Sequence, residues 1–237
     1  MVLYSPRHDG TLADESVEHI ANLIGVWTDR YVELGQKPNI QYVYIFENRG
    51  DAVGVTLSHP HGQIYAFPFI PPTLETELEA ALEHKDSTGS CLYCDILEEE
   101  KRAAVRVIAE NEGFTAFVPF FARYPFEVHI YSRKHLTSLA QFSAEDRKNL
   151  ARMLKEVLIK YDGLFGFTLP YIMALHQAPT KGEHEHYHFH IEFYPRNRTA
   201  TKLKYLAGVE SGAGTFITDM TPEEQAAKLR GEVKDEE

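Results

Sequence analysis

Cysteine is nearly absent from this chain: 237 residues contain two, Cys91 and Cys94, in a single C-x-x-C pair. In a reducing compartment that spacing serves zinc or redox chemistry rather than a structural disulfide. A thioredoxin-like site would need the pair between a strand and a helix, whereas Asp86 to Ser90 reads as a loop and histidines stand elsewhere as partners, which favours zinc. Long hydrophobic runs are missing as well. Nothing approaches the ~18 apolar residues of a membrane span, and the start of the chain has no basic segment leading into an apolar one, so neither insertion nor secretion is supported. A soluble cytoplasmic protein is expected. Positive charge is in deficit, with 24 Lys and Arg against 35 Asp and Glu and a net charge of −11. Such a balance argues against a nucleic-acid partner held by phosphate neutralisation.

The acid is local. Glu75 to Glu83, Glu98 to Glu100 and the tail Glu232 to Glu237 read as solvated helix faces and a frayed end. Arg49, Lys181, Arg196, Arg198, Lys202 and Lys204 lie beside the histidine segments, so an anionic substrate is compatible with an acidic protein. A hydrophobic content of 43% is enough to build a core for one large or two modest domains.

Histidine is plentiful, 12 in all, and its placement repeats. His8 lies 51 positions before His59, and His135 lies 51 positions before His186. An offset of 127 also carries Ser16, ahead of the helical run Val17 to Leu34, onto Ser143, ahead of Ala144 to Tyr161. It carries Tyr44 onto Tyr171 and Pro68 onto Pro195. Cap, helix, strand and closing proline together indicate an internal duplication. The cysteine pair belongs to the second copy and has no first-copy counterpart. Either the first repeat never had one, or the chain lacks about 100 N-terminal residues of a larger protein, close to a domain's worth.

Apolar spacing predicts helices over 14–34, 73–85, 144–161 and 221–230, and strands near 40–47, 54–69, 103–109, 114–118, 126–131, 171–176 and 186–194. Strands interleaved with few helices predict an α+β fold, an antiparallel sheet with helices packed on it. Residues 1–85 and 86–200 form the two repeats, and 201–237 a functional loop, a short helix and an acidic tail.

Alternation along a strand puts His59, His61, Gln63 and Tyr65 on one face, and His186, His188, His190 and Glu192 on another. Members of such a row stand ~6.5–7 Å apart, so one metal cannot take them all. Cys91, Cys94, His135 and His186 make a tetrahedral zinc set with no vacancy, hence a structural zinc. His61 is then available as a nucleophile on phosphorus, because imidazole is substantially neutral at cellular pH. Gln63 can donate to a phosphate oxygen but cannot act as a general acid or base, which favours holding a covalent nucleotide over hydrolysing it. Pro60 removes a donor and Gly62 removes bulk, so that substrate can approach the main chain.

Phe46-Glu47-Asn48-Arg49-Gly50, Gly54 and Ser58-His59-Pro60-His61-Gly62-Gln63 resemble the active-site segment of galactose-1-phosphate uridylyltransferase, in the histidine-triad superfamily. The likeness continues through Tyr124-Pro125-Phe126-Glu127, Tyr161-Asp162-Gly163-Leu164-Phe165, His176-Gln177-Ala178-Pro179 and Phe193-Tyr194-Pro195. It implies a half-barrel of histidine-triad type and a ping-pong exchange in which His61 takes uridylate from UDP-glucose and passes it to galactose 1-phosphate. By the same resemblance Gln63 holds the phosphate, Asn48, Gly54 and Thr56 line the nucleotide, and Lys204, Tyr205 and Glu210 reach the sugar across a homodimer interface. His8 and His59 match two ligands of a first zinc site whose cysteine pair lies upstream in the family. Glu77, His176 and His190 match ligands of an iron site whose fourth position, a histidine in the best-known members, is Glu192 here; iron or a second zinc would suit it. Two alternatives remain open: a related nucleotide phosphorylase or hydrolase using His188, and a zinc-stabilised fragment that needs a partner chain.

Overall fold

Among the described residues, eight strands in one antiparallel sheet organise the protein, as the α+β expectation required. The computed structural model describes residues 1–57 and 59–233; Ser58 of the first histidine run and residues 234–237 of the acidic tail lie outside the described residues. In chain order the elements are β1 (Val2–Leu3), α1 (Val17–Gly35), β2 (Tyr42–Arg49), β3 (His61–Phe67), α2 (Pro72–Thr88), α3 (Leu92–Ala103), β4 (Val107–Glu110), β5 (Phe114–Phe117), β6 (Val128–Ser132), α4 (Ala144–Leu164), β7 (Tyr171–His176), β8 (His190–Pro195), α5 (Gly208–Ala213) and α6 (Pro222–Leu229). The sheet runs β1-β3-β2-β7-β8-β6-β5-β4, so the two halves meet where β2 pairs with β7.

The two longest helices, α1 and α4, each begin at the serine that the repeat singled out. Ser16 accepts from the His19 amide at 3.1 Å, and Ser143 accepts from the Asp146 amide while its own amide donates to the Asp146 carboxylate. Capping of this kind satisfies amides that have no partner within the helix. Ile20, Leu23, Ile24, Trp27 and Tyr31 of α1 and Leu150, Met153, Leu154, Val157, Leu158 and Tyr161 of α4 recur at helical spacing and are buried. They pack with Val43 and Ile45 of β2, Tyr171, Met173 and Leu175 of β7, and Ile191 and Phe193 of β8. Truncating a side chain as deeply buried as Trp27 to alanine would cost about 3–5 kcal/mol. Alternation on β2 then turns Tyr44, Phe46 and Asn48 to the opposite face, where they remain half-buried. A smaller apolar cluster on the second half joins Leu78 and Ala81 of α2 and Tyr93 and Leu97 of α3 to Phe117, Tyr131 and Tyr187.

Three segments depart from the periodicity. The expected loop over 86–90 shortens, because α2 continues to Thr88, Gly89 turns the chain at φ 80°, and α3 starts directly after Cys91. The apolar positions Tyr93 and Leu97 of α3 are four apart, one helical turn. The extension expected over 54–69 becomes a strand only at His61, since Gly54 adopts φ 83° and Pro60 has no amide to give a ladder. Likewise the strand expected over 186–194 starts at His190; before it, the Tyr187 amide closes a turn on the His184 carbonyl at 3.0 Å.

Candidate active site and metal centres

At the start of β3, His61 opens onto a cavity of about 230 Å³. Its walls include Asn48, Arg49 and Gly50 at the end of β2, Thr11, His59 and Thr168. The Nδ1 of His61 lies 2.9 Å from the carbonyl oxygen of His59. A carbonyl only accepts, so Nδ1 carries the proton and Nε2 keeps its lone pair. The backbone beneath is pinned from β1: the Tyr4 amide donates to the Pro60 carbonyl at 3.0 Å, and the Tyr4 ring fills the space where a Cβ on Gly62 would stand. Gln63 follows one alternation outward, its Oε1 accepting from Tyr65 at 3.2 Å. Asn48 shares the cavity with His61, whereas Gly54 and Thr56 are exposed and lie outside its walls.

Below the cavity, Glu47 is buried and accepts from Tyr171 at 3.1 Å. Burial raises its carboxyl to about 7 against the pull of Arg49. Arg49 in turn is ion-paired with Asp162 at the end of α4.

Contacts around the two histidine strands recur, but in a register that differs from the 51-residue spacing. His8 and His59 stand with ring centroids 5.1 Å apart; in the second half the partner of His135 is His188, at 5.3 Å, and not His186. Further contacts repeat at the same shift. His190 Nδ1 donates to the His188 carbonyl at 2.9 Å just as His61 donates to that of His59, and Tyr194 donates to Glu192 as Tyr65 does to Gln63. The histidine strands thus correspond at an offset of 129, which maps His59, His61, Gln63 and Tyr65 onto His188, His190, Glu192 and Tyr194. Strand pairing sets β2 and β7 at an offset of 128, since Tyr44 pairs with Tyr65 where Ile172 pairs with Tyr194, so Tyr44 and Pro68 do not correspond to Tyr171 and Pro195. Aligning H-x-H-x-[QE]-x-Y in the two halves would have revealed this.

His188 accordingly takes the place in the cysteine cluster that spacing gave to His186. Cys94 Sγ lies 3.6 Å from His135 Nδ1 and 3.5 Å from His188 Nδ1, and Cys91 Sγ lies 3.8 Å from His188 Nδ1. Tetrahedral zinc with bonds of ~2.3 Å to sulfur and ~2.0–2.1 Å to nitrogen requires ligand separations of roughly this size. Both imidazoles are already turned for it: His135 Nε2 donates to the Glu185 carbonyl at 2.7 Å, and His188 Nε2 to the Ser132 carbonyl at 2.8 Å, leaving both Nδ1 lone pairs toward the sulfurs. A hydrogen bond from Cys94, helped by His188, draws the Cys91 thiol far below its usual range, to about 3. His186 is half-buried in the preceding turn and offers Cys91 only its carbonyl.

A second buried group joins Glu77 of α2, His176 at the end of β7, and His190 and Glu192 of β8, all four with ligand atoms within 4.8 Å of one another. These are the four residues expected together. His176 Nδ1 is 2.9 Å from Glu77, and His190 Nε2 is 3.5 Å from Glu192. Burial opposes charge on His176, but Glu77 and Glu192 outweigh it and lift the imidazole to about 9. Two carboxylates and two imidazoles in a largely buried cluster have the composition and the charge to hold a divalent cation. Sequence reasoning missed the surrounding shell: His129 lies 3.4 Å from Glu192, and Arg123 lies 3.1 Å from it.

Lys204, Tyr205 and Glu210 lie away from the His61 cavity. The Lys204 ammonium pairs with Glu210 at 2.6 Å and donates to the Ile217 carbonyl at 2.8 Å, while Glu210 also caps α5 through the Ala207 amide. Tyr205 is 81% exposed. Among the described residues no helix is long and apolar enough to cross a membrane.

Known proteins reproduce both halves of this arrangement. The family model "Galactose-1-phosphate uridyl transferase, N-terminal domain" matches residues 1–71, and its C-terminal counterpart matches residues 77–236. The galactose-1-phosphate uridylyltransferase of Thermotoga maritima is 43% identical over 232 residues, covering 97% of this chain and 72% of its own. That of Saccharomyces cerevisiae is 38% identical, covering 97% and 65%. A solved uridylyltransferase structure superposes with a TM-score of 0.92 at 39% identity, covering 97% of this chain and 72% of that one. The chain thus spans about two-thirds to three-quarters of the length of these relatives. Matched along nearly its whole length, with the N- and C-terminal domain models in order, the chain belongs to the galactose-1-phosphate uridylyltransferase family.

Proposed function

We propose that this protein is a cytoplasmic enzyme that moves uridylate between UDP-glucose and galactose 1-phosphate through a covalent intermediate on His61. The observation that carries the reading is the bond from His61 Nδ1 to the His59 carbonyl, which leaves Nε2 unprotonated at the mouth of a cavity. Nε2 attacks the α-phosphorus of UDP-glucose, forming a P–N bond as the P–O bond to glucose 1-phosphate breaks. The incoming phosphate oxygen of galactose 1-phosphate then attacks the same phosphorus and the P–N bond breaks, restoring His61. Gln63 donates to a non-bridging oxygen, and having no acid or base function it gives water no help. Asn48 contributes to the nucleotide side from the cavity wall, and Gly54 and Thr56 would reach the nucleotide only where it extends beyond that wall.

Cys91, Cys94, His135 and His188 would hold Zn²⁺, tying α3 to the ends of β6 and β8 without an open coordination position. Glu77, His176, His190 and Glu192 would hold a second divalent ion, Zn²⁺ or Fe²⁺. Lys204, Tyr205 and Glu210 belong to a segment that serves the sugar in a homodimer, and the exposure of Tyr205 supports that assignment.

The test is isotope exchange: labelled glucose 1-phosphate should enter UDP-glucose without galactose 1-phosphate and without net hydrolysis. His61→Ala should abolish both the exchange and the covalently uridylylated protein. Undiminished exchange by His61→Ala would remove the covalent mechanism.

A further inference from the structure

Gln63 has two unlike ends, and only one of them suits a phosphate. A phosphate oxygen accepts and never donates, so Gln63 must present Nε2 to it and turn Oε1 elsewhere. The two ends are nearly the same size, so shape does little to choose between them. Tyr65, two residues along β3 and on the same face, supplies the missing choice: its hydroxyl donates to Gln63 Oε1 at 3.2 Å. The Tyr65 ring is itself held, edge-on to Phe46 with centroids 5.0 Å apart and beside Phe67 at 6.0 Å, while Phe46 stacks on Tyr44.

The second repeat uses the same device. Tyr194, two residues beyond Glu192, donates to that carboxylate, with Arg123 donating to the same oxygen. There the acceptor has two equivalent oxygens and no orientation to select. Only in the first repeat does the tyrosine decide which atom faces the reacting group.

We propose that Tyr65 is a positioning residue for uridylyl transfer, fixing the amide orientation of Gln63 so that Nε2 meets the phosphate. The inference rests on the reading of His61 and Gln63 given above. Because the interaction concerns charge on the transferring phosphoryl group, its loss should appear in kcat more than in KM.

Tyr65→Phe removes the donor and keeps the ring. Steady-state transfer and labelled exchange should slow by roughly tenfold, about 1.4 kcal/mol, with the KM for UDP-glucose changed less than about twofold and the melting temperature unmoved. In a Gln63→Ala background, followed by labelled exchange because rates are slow, Tyr65→Phe should have no further effect. Wild type and His61→Ala run alongside. Active wild type with an inactive His61→Ala, together with a Tyr65→Phe that matches wild type, overturns the role of Tyr65 alone. The same role is overturned if the Tyr65→Phe loss persists without Gln63, whereas full activity in His61→Ala or none in wild type overturns the transfer reading and this inference with it.

Discussion

The imidazoles of His135 and His188, 53 positions apart in sequence, face each other with ring centroids 5.3 Å apart and both present Nδ1 to Cys94. Nothing equivalent joins His135 to His186, which sits in the turn before the strand. The metal content of single variants should follow this geometry. His188→Ala and Cys91→Ser should each lose about one equivalent of zinc by elemental analysis and melt at lower temperature, because structural zinc contributes directly to folding. His186→Ala should keep its zinc; loss of the metal there would restore the spacing argument over the geometric one.

Gly62 is irreplaceable for a local reason. A Cβ at that position would stand 2.1 Å from Tyr4 Oη and 2.8 Å from its Cζ, and Tyr4 is buried. Gly62→Ala should destabilise by about 1–3 kcal/mol, the usual cost of overpacking. Combined with Tyr4→Ala, it should cost less than the sum of the two single changes in urea unfolding, since the clash disappears with the ring.

Glu47 makes stability depend on pH. Its carboxyl is raised by burial from an ordinary 4.5 to about 7 in the folded chain. The stabilisation from holding its proton is fully present below pH ~4.5 and is lost as pH rises through about 7. Glu47→Gln removes that dependence, so the stability of the variant relative to wild type should grow by about 3 kcal/mol between pH 4 and 8. Parallel urea midpoints across that range would contradict the assignment.

His176 predicts the behaviour of chelated protein. With metal removed, Glu77 and Glu192 hold its imidazole at about 9 against an ordinary 6.5. Its contribution is complete below pH 6.5 and disappears as pH rises through about 9. Chelated wild type should therefore lose up to about 3 kcal/mol over that interval, and chelated His176→Gln should not. Thermal melts at pH 6 and pH 9.5 distinguish the two.

Much of the candidate site was legible because its signals are short-range. Ser16 and Ser143 cap their helices through bonds to residues three positions on, and the pairing of His61 with Gln63 follows from strand alternation alone. The C-x-x-C pair announced a candidate metal-ligand cluster, although the sequence-based loop before it is largely the end of α2. What alternation could not foresee is the point at which an extended run becomes a strand. His186 shares parity with His190, yet the turn closed on His184 takes it out of the row.

The amino-acid sequence by itself determined most of the elements, the two long serine-capped helices and the residue types of both candidate metal clusters, because periodicity, capping and donor chemistry act over a few residues; the helix after Cys91 escaped it. Tertiary structure alone decided which histidine completes the cysteine cluster, that Arg123 and His129 surround Glu192, and that Tyr4 closes the space beside Gly62. Those relationships join residues from different strands and loops. Their distances depend on sheet register and on a two-residue difference between the repeats, both of which are settled only when the core closes.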